Sequence, residues 1–291
     1  MLKLNKIMKK ICIVGDNCVD LYSGTPEKMY VGGNGINNAV ASIRNGAPTA
    51  YVGVVGNDKQ GKLVVETLKN EDIDISHIVV LEGKTAWTKV ELNNGDRVFV
   101  DESLGIQSKF DLTNKQYEYI KKFDLVHHTL FSNWPTASAG GVDDYYNKIS
   151  SQITKIHNNG SKISVDLSEQ YDEKLLMSLK DKVEIAFFSR PALNDNELKV
   201  ELKKLGKFGF SIIVITMGAK GSIGFDGKKI IEQPAIPTVV VDTLGVGDSF
   251  IGAFLSNWLN NRKLSSAILC AAEYAAKICR IHGAFEPKSK T

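Results

Sequence analysis

The chain has 291 residues, 43% of them hydrophobic and 24% charged, the balance of an ordinary globular protein long enough to bury a large core. Its 36 basic and 33 acidic residues are scattered to a net charge of +3, and no like-charge block beyond Lys9-Lys10 and the Lys-rich last residues marks a nucleic-acid surface. No apolar run approaches the ~20 residues that cross a bilayer. Cys12, Cys18, Cys270 and Cys279 show no ligand spacing, so free thiols in a reducing cytoplasm are expected.

At the N-terminus, basic residues precede the apolar run Ile11–Val14, which leads straight into Gly15-Asp16-Asn17 without a small-residue cleavage site. It reads as a first strand and not as a signal peptide, and either Met1 or Met8 serves as a start. Further short β-branched runs at Ala50–Val55, Leu125–His127, Ile163–Val165, Ile185–Phe188 and Ile212–Thr216 read as buried strands. Between them Ile36–Arg44, Lys62–Asn70, Gly141–Asn158, Asn196–Leu205 and Gly247–Asn260 carry helical apolar spacing. This alternation predicts one α/β domain over 1–291, with a mostly parallel sheet between helices.

Two segments break the pattern. Thr85–Leu92 and Arg97–Asp101 flank Asn94-Gly95, a strong hairpin turn, and Val19–Tyr22 and Lys28–Val31 flank Gly24-Thr25-Pro26. They predict a discontinuous β lid from about 18–34 and 84–103. A lid over a cleft excludes water from a reactive phosphate, whereas ordinary surface hairpins would do nothing of the kind.

The most informative string is Asp242-Thr243-Leu244-Gly245-Val246-Gly247-Asp248, at the junction of a β-branched run and a helix. Glycines there let backbone amides face an anion, and the helix N-terminus adds its positive dipole end. A carboxylate at Asp248 could take a proton from an attacking hydroxyl, although an acid in a first helical turn is also an ordinary cap. Upstream, Gly15-Asp16-Asn17-Cys18-Val19-Asp20 follows the first strand, and Gly32-Gly33-Asn34-Gly35-Ile36-Asn37 opens a helix. Thr216-Met217-Gly218-Ala219-Lys220-Gly221 follows a buried strand, and Asn194-Asp195-Asn196-Glu197 stands between two others.

Together these strings resemble the ribokinase/PfkB carbohydrate kinases, from about residue 8 to 285 and in the family's order. The C-terminal signature there is usually DTxGAGD, and Val246 replaces the usual Ala. The resemblance implies a ribokinase-like three-layer sandwich that uses ATP and Mg2+, with a monovalent cation such as K+ as a further candidate. It implies Asp248 as catalytic base, with Gly245, Val246 and Gly247 as the anion hole beside it. Asp16, Asp20, Gly32, Gly33 and Asn37 would hold the sugar. Asn194, Thr216, Gly218, Lys220, Gly221, Thr243, His282 and Gly283 would meet the nucleotide, and Glu197 would organise magnesium through water. A lone NxxE is weak, Lys220 reads equally as a solvated lysine, and Gly283 reads equally as a helix cap.

Within the family, GDNCVD, VELNNGDRVF and HGAF most resemble the fructoselysine 6-kinases, which implies a fructosamine acceptor. Arg97, Asp101, His128 and Trp134 are candidates for the substrate's charged tail. Fructokinase, ribokinase and nucleoside kinase are the alternatives, and a non-catalytic sugar-binding protein is the alternative of another class. Small-molecule partners, no nucleic acid, no membrane and a homodimer through the lid complete the expectation. Gly83-Lys84-Thr85 is not a Walker A tail, since Ile78 stands at its first glycine position, and Phe250 breaks any dinucleotide fingerprint at Gly245.

Overall fold

The computed structural model describes residues 8–22, 28–93, 96–130, 141–169 and 171–288; the turn Asn94-Gly95, Trp134 and the Arg97 side chain lie outside the described parts. The strands are β1 Ile11–Val14, β2 Cys18–Tyr22, β3 Lys28–Gly32, β4 Thr49–Val52, β5 Val54–Gly56, β6 Val79–Leu81, β7 Trp87–Asn93 and β8 Asp96–Ser103. They continue with β9 Leu125–His128, β10 Ile163–Asp166, β11 Ile185–Ser189, β12 Ile212–Thr216, β13 Ser222–Phe225 and β14 Ile230–Gln233. The helices are α1 Asn34–Arg44, α2 Lys59–Asn70, α3 Asn114–Ile120, α4 Gly141–Asn158, α5 Glu173–Leu179, α6 Asp195–Leu205, α7 Val246–Asn261 and α8 Leu264–Ile278.

Eight strands form the main sheet in the order β14-β13-β12-β11-β10-β9-β1-β4, parallel from β12 to β4, with β13 and β14 antiparallel at one edge. Alternate residues of a strand face opposite sides, so a sheet covered on both faces must be apolar throughout. In β1, Cys12 and Val14 join the core under α3 to α6, with Tyr117, Ile149, Leu176 and Leu198. Ile11 and Ile13 join the opposite core, with Ile36 and Val40 of α1, Phe254 of α7 and Ile268 of α8. This is the predicted three-layer α/β sandwich.

The run expected as one strand over 50–55 is two. At Gly53, where a Cβ would run into Tyr51 and the Gly15 carbonyl, the chain leaves the main sheet, and β5 pairs with β6 in a separate two-stranded sheet. The β13–β14 hairpin and helices α3 and α5 were not anticipated, and of α8 only a helix end before Gly283 was.

The second sheet has the order β3-β2-β7-β8, assembled from the two segments expected to form the lid. β2 pairs antiparallel with β3 and parallel with β7, which turns back into β8. Asp20 stands opposite Thr88, and Thr88 opposite Glu102, so these three share one face. Leu21, Lys89 and Asp101 form the next row and face the other way.

Candidate active site

The helix α1 starts against the first strand's exit loop. Gly33, its N-cap, has φ 97°, and a Cβ there would collide with the Asn17 backbone, so only glycine fits. Asp16 accepts from the free Asn34 and Gly35 amides at 2.9 and 3.1 Å and from Thr129 Oγ1 at 2.9 Å. Gly32 leaves room for the buried Asp20 carboxylate, whose Oδ1 accepts from Cys18 Sγ at 3.3 Å.

The helix α7 starts at Gly245, with φ 65°, where a Cβ would press on Ala284 and lie 2.7 Å from Asn37 Nδ2. One turn in, Asp248 Oδ2 accepts from Asn37 Nδ2 at 2.9 Å, joining the two helix starts. Asn37 Oδ1 and Asn17 Oδ1 are buried without a hydrogen-bond partner among the described residues. Such acceptors are costly unless a donor reaches them, and both belong to residues that wall a cavity of about 290 Å³. Asp16, Asp20, Glu102 and Asp248 also line it, with no Lys or Arg among the described lining.

A second cleft of about 320 Å³ is lined by Asp166, Ser168, Glu169, Thr216, Gly247 and Asp248, among others. Asp248 therefore stands in the walls of both. A Cβ on Gly247 would meet nothing within 4 Å, so the helix start is open on this side. Burial, and then the charges of Asp166, Asp16 and Asp20, push the Asp248 carboxyl up to about 7 against the Asn37 hydrogen bond. Burial also raises Asp166 to about 6, while its oxygens accept from the Ser168 amide and hydroxyl. A group titrating near neutrality at the meeting of two clefts can act as a proton acceptor in ordinary buffer.

Comparison with known proteins gives the family. The family model described as pfkB family carbohydrate kinase matches residues 8–291. The chain belongs to the pfkB family of carbohydrate kinases. A fructoselysine 6-kinase of Escherichia coli is 34% identical over 96% of this chain and 100% of its own length. A fructosamine kinase of Bacillus subtilis is 32% identical over 95% of this chain and 93% of its own. In fold, the Arabidopsis thaliana ribokinase complexed with ribose and ATP matches with a TM-score of 0.77 at 20% identity, over 95% of this chain and 94% of that one.

As an ATP-dependent sugar kinase, the chain has its sequence motifs distributed unevenly about the two clefts. Thr216 lines the second cleft and donates to the Phe188 carbonyl at 3.3 Å. Lys220 Nζ reaches the Leu193 carbonyl at 3.1 Å, which ties the Gly218–Gly221 turn to the Asn194 loop. There Asn194 caps α6, and Glu197 Oε2 accepts from the Asn194 amide at 2.8 Å. Thr243, Glu197 and His282 are exposed and none belongs to the described cleft walls.

Three expectations need correction. His128 is fully buried: Nε2 bonds Gln152 at 3.0 Å, Nδ1 accepts from the Leu130 amide at 3.2 Å, and burial lowers its pKa to about 4. It holds β9 to α4 and does not reach the cavity. Asp101 faces away from the cavity, which Glu102 lines instead, because one step along a strand reverses the face. Gly283 does not cap α8, whose C-cap is Cys279; it lies under Tyr30 and donates its amide to Asp242 at 2.9 Å.

Asn17, Glu102, Asp166, Ser168 and Glu169 were missed as cleft residues. Asp166 had a signal, since it ends a parallel strand, where ligands of open α/β sheets collect. Asp242 was read only as part of a string. Its carboxylate accepts from Tyr22 Oη at 3.0 Å, Gly283 N at 2.9 Å and Leu244 N at 2.9 Å, fastening the second sheet to the α7 entry loop.

Proposed function

We propose that this kinase transfers the γ-phosphoryl group of ATP to the 6-hydroxyl of a fructosamine such as fructoselysine. The position of Asp248 in the walls of both clefts, held by Asn37, carries the reading. The sugar would occupy the cavity of Asp16, Asp20 and Asn37, where the unpartnered Asn17 and Asn37 oxygens accept hydroxyl donors. Asp248 accepts the 6-hydroxyl proton as that oxygen attacks phosphorus, and the first amides of α7 stabilise charge on the transferring group. The open space at Gly247 lets the phosphoryl oxygens approach those amides. The second sheet, as a lid, would keep water from competing as acceptor.

The cleft beside Asp248 carries Asp166 and Glu169 and no Lys or Arg among its described lining, so a polyphosphate needs a cation there. Asp166, Glu169 and, through water, Glu197 would hold Mg2+, which supplies charge neutralisation on the phosphates when bound. Among the described residues no group of three or more His, Cys, Asp or Glu is set to hold a metal directly.

Support for the fructosamine comes from the 34% and 32% identical relatives and from the acid-rich cavity, suited to a cationic acceptor. A cytoplasmic site follows from the need for ATP; among the described residues no helix is long and apolar enough to cross a membrane. Exposed Met29 and Val100 on the outer strands of the lid offer a homodimer contact, which light scattering tests directly. The decisive measurement is ATP consumption with fructoselysine, fructose and ribose, with the phosphorylated position read by NMR. Equal or better kcat/KM with either free sugar removes the fructosamine assignment and leaves a sugar kinase of other specificity.

A further inference from the structure

The row Asp20, Thr88 and Glu102 crosses three strands of the second sheet on one face. Neighbouring strands lie about 4.8 Å apart, so the Asp20 and Glu102 backbones stand about 10 Å apart. Both side chains line the same cavity. Asp20 is buried and its charge bears on Asp248, whereas Glu102 is exposed, at the rim. The row thus runs from Asp20, a buried carboxylate that bears on the reacting Asp248, toward the mouth, over a distance comparable to a six-carbon sugar.

With the 6-hydroxyl at Asp248, the other end of the sugar, C1, points toward the mouth. Fructose carries a neutral hydroxyl there. A fructosamine carries an amine, protonated near neutral pH, whose substituent continues outward. A carboxylate at the mouth accepts a charge-assisted hydrogen bond from that ammonium and only an ordinary one from a hydroxyl.

We propose that Glu102 binds the protonated amine at C1 of the acceptor and is the residue that selects fructosamines over neutral ketoses. The inference rests on the fructosamine reading above and adds to it the group that reads the nitrogen. Glu102 is remote from the proton transfer and acts on binding, so its loss should fall on KM for amino sugars and spare kcat.

The test compares the wild type with Glu102→Gln, which keeps the shape and removes the charge, on fructoselysine, 1-amino-1-deoxyfructose and fructose at saturating ATP. The primary amino sugar isolates the nitrogen from the amino-acid tail. Glu102→Gln should lose about tenfold or more in kcat/KM on both amino sugars, chiefly in KM, and stay within about twofold on fructose. An unchanged KM for ATP shows that the variant is folded. If the wild type prefers amino sugars and the variant keeps that preference, or loses equally on all three, Glu102 does not read the nitrogen, while the fructosamine reading stands. If the wild type has no preference for amino sugars, the acceptor reading fails and this inference with it.

Discussion

Asn37 and Asp248 belong to different helices, 211 positions apart in sequence, and their side chains meet at 2.9 Å, Nδ2 to Oδ2. The bond fixes which Asp248 oxygen is occupied and leaves the other for a substrate proton. Asp248→Asn should lower kcat by about 10²–10⁴ while ATP affinity changes within a few-fold. Steady-state kinetics with a binding assay for ATP checks this. More than a tenth of wild-type kcat would remove Asp248 from the role of base.

Asn37→Ala removes the hydrogen bond that lowers the Asp248 pKa against burial and neighbouring carboxylates. The acid limb of the kcat/KM profile should then move to higher pH, and sugar KM should rise because Asn37 Oδ1 is lost as an acceptor. A profile that keeps its wild-type position, with only a general drop in rate, would show that Asn37 does not tune Asp248.

In the wild type, an acid limb near pH 7 is expected in kcat/KM, with activity rising as Asp248 loses its proton. Stability runs the other way. The native carboxyl holds its proton to about 7 and the unfolded one releases it near 3.8, so the native state loses relative stability as pH rises through that window. Asp248→Asn has no such proton, so its Tm relative to wild type should increase between about pH 4 and pH 7 and level off above. A Tm difference that does not change with pH would contradict the buried-carboxyl account.

Gly245 and Gly247 should separate folding from nucleotide binding. At Gly245 a side chain meets Ala284 and Asn37 at φ 65°, so Gly245→Val should lower Tm as well as activity. At Gly247 a Cβ meets no protein atom within 4 Å, so Gly247→Ala should fold as well as wild type, helped by alanine's helix propensity of about 1 kcal/mol over glycine. Its damage should appear in ATP KM and kcat. Thermal melts beside ATP titrations decide, and full activity in Gly247→Ala would place the phosphates elsewhere.

Asp242→Ala leaves the Tyr22 hydroxyl and the Leu244 and Gly283 amides without their common acceptor. Losing a buried acceptor that serves several donors costs about 1–3 kcal/mol or more, so Tm should fall by several degrees. Tyr22→Phe removes one donor together with its need and should cost much less. A Tyr22→Phe loss equal to that of Asp242→Ala would mean the carboxylate is not the hub.

The main sheet was legible because buried parallel strands such as Ile11–Val14 and Ile212–Thr216 are continuous apolar runs, and the helix starts because Gly33 and Gly245 serve backbone shapes no other residue adopts cheaply. Local chemistry also singled out Asp248 as a candidate, since its setting after two glycines is written within a few residues. Tertiary structure alone decided which face each lid residue shows: Asp101 and Glu102 are neighbours in sequence, and pairing with Lys89 and Thr88 sends only the second toward the cavity. It likewise sent His128 into the core, where Gln152 and the Leu130 amide engage both ring nitrogens. The Asp248 pKa belongs to this second kind, because Asp16 after β1, Asp20 within β2 and Asp166 at the end of β10 reach it from separate parts of the chain. Propensity acts over a few residues along the chain, whereas burial and charge act through space, and the fold sets the distances they depend on.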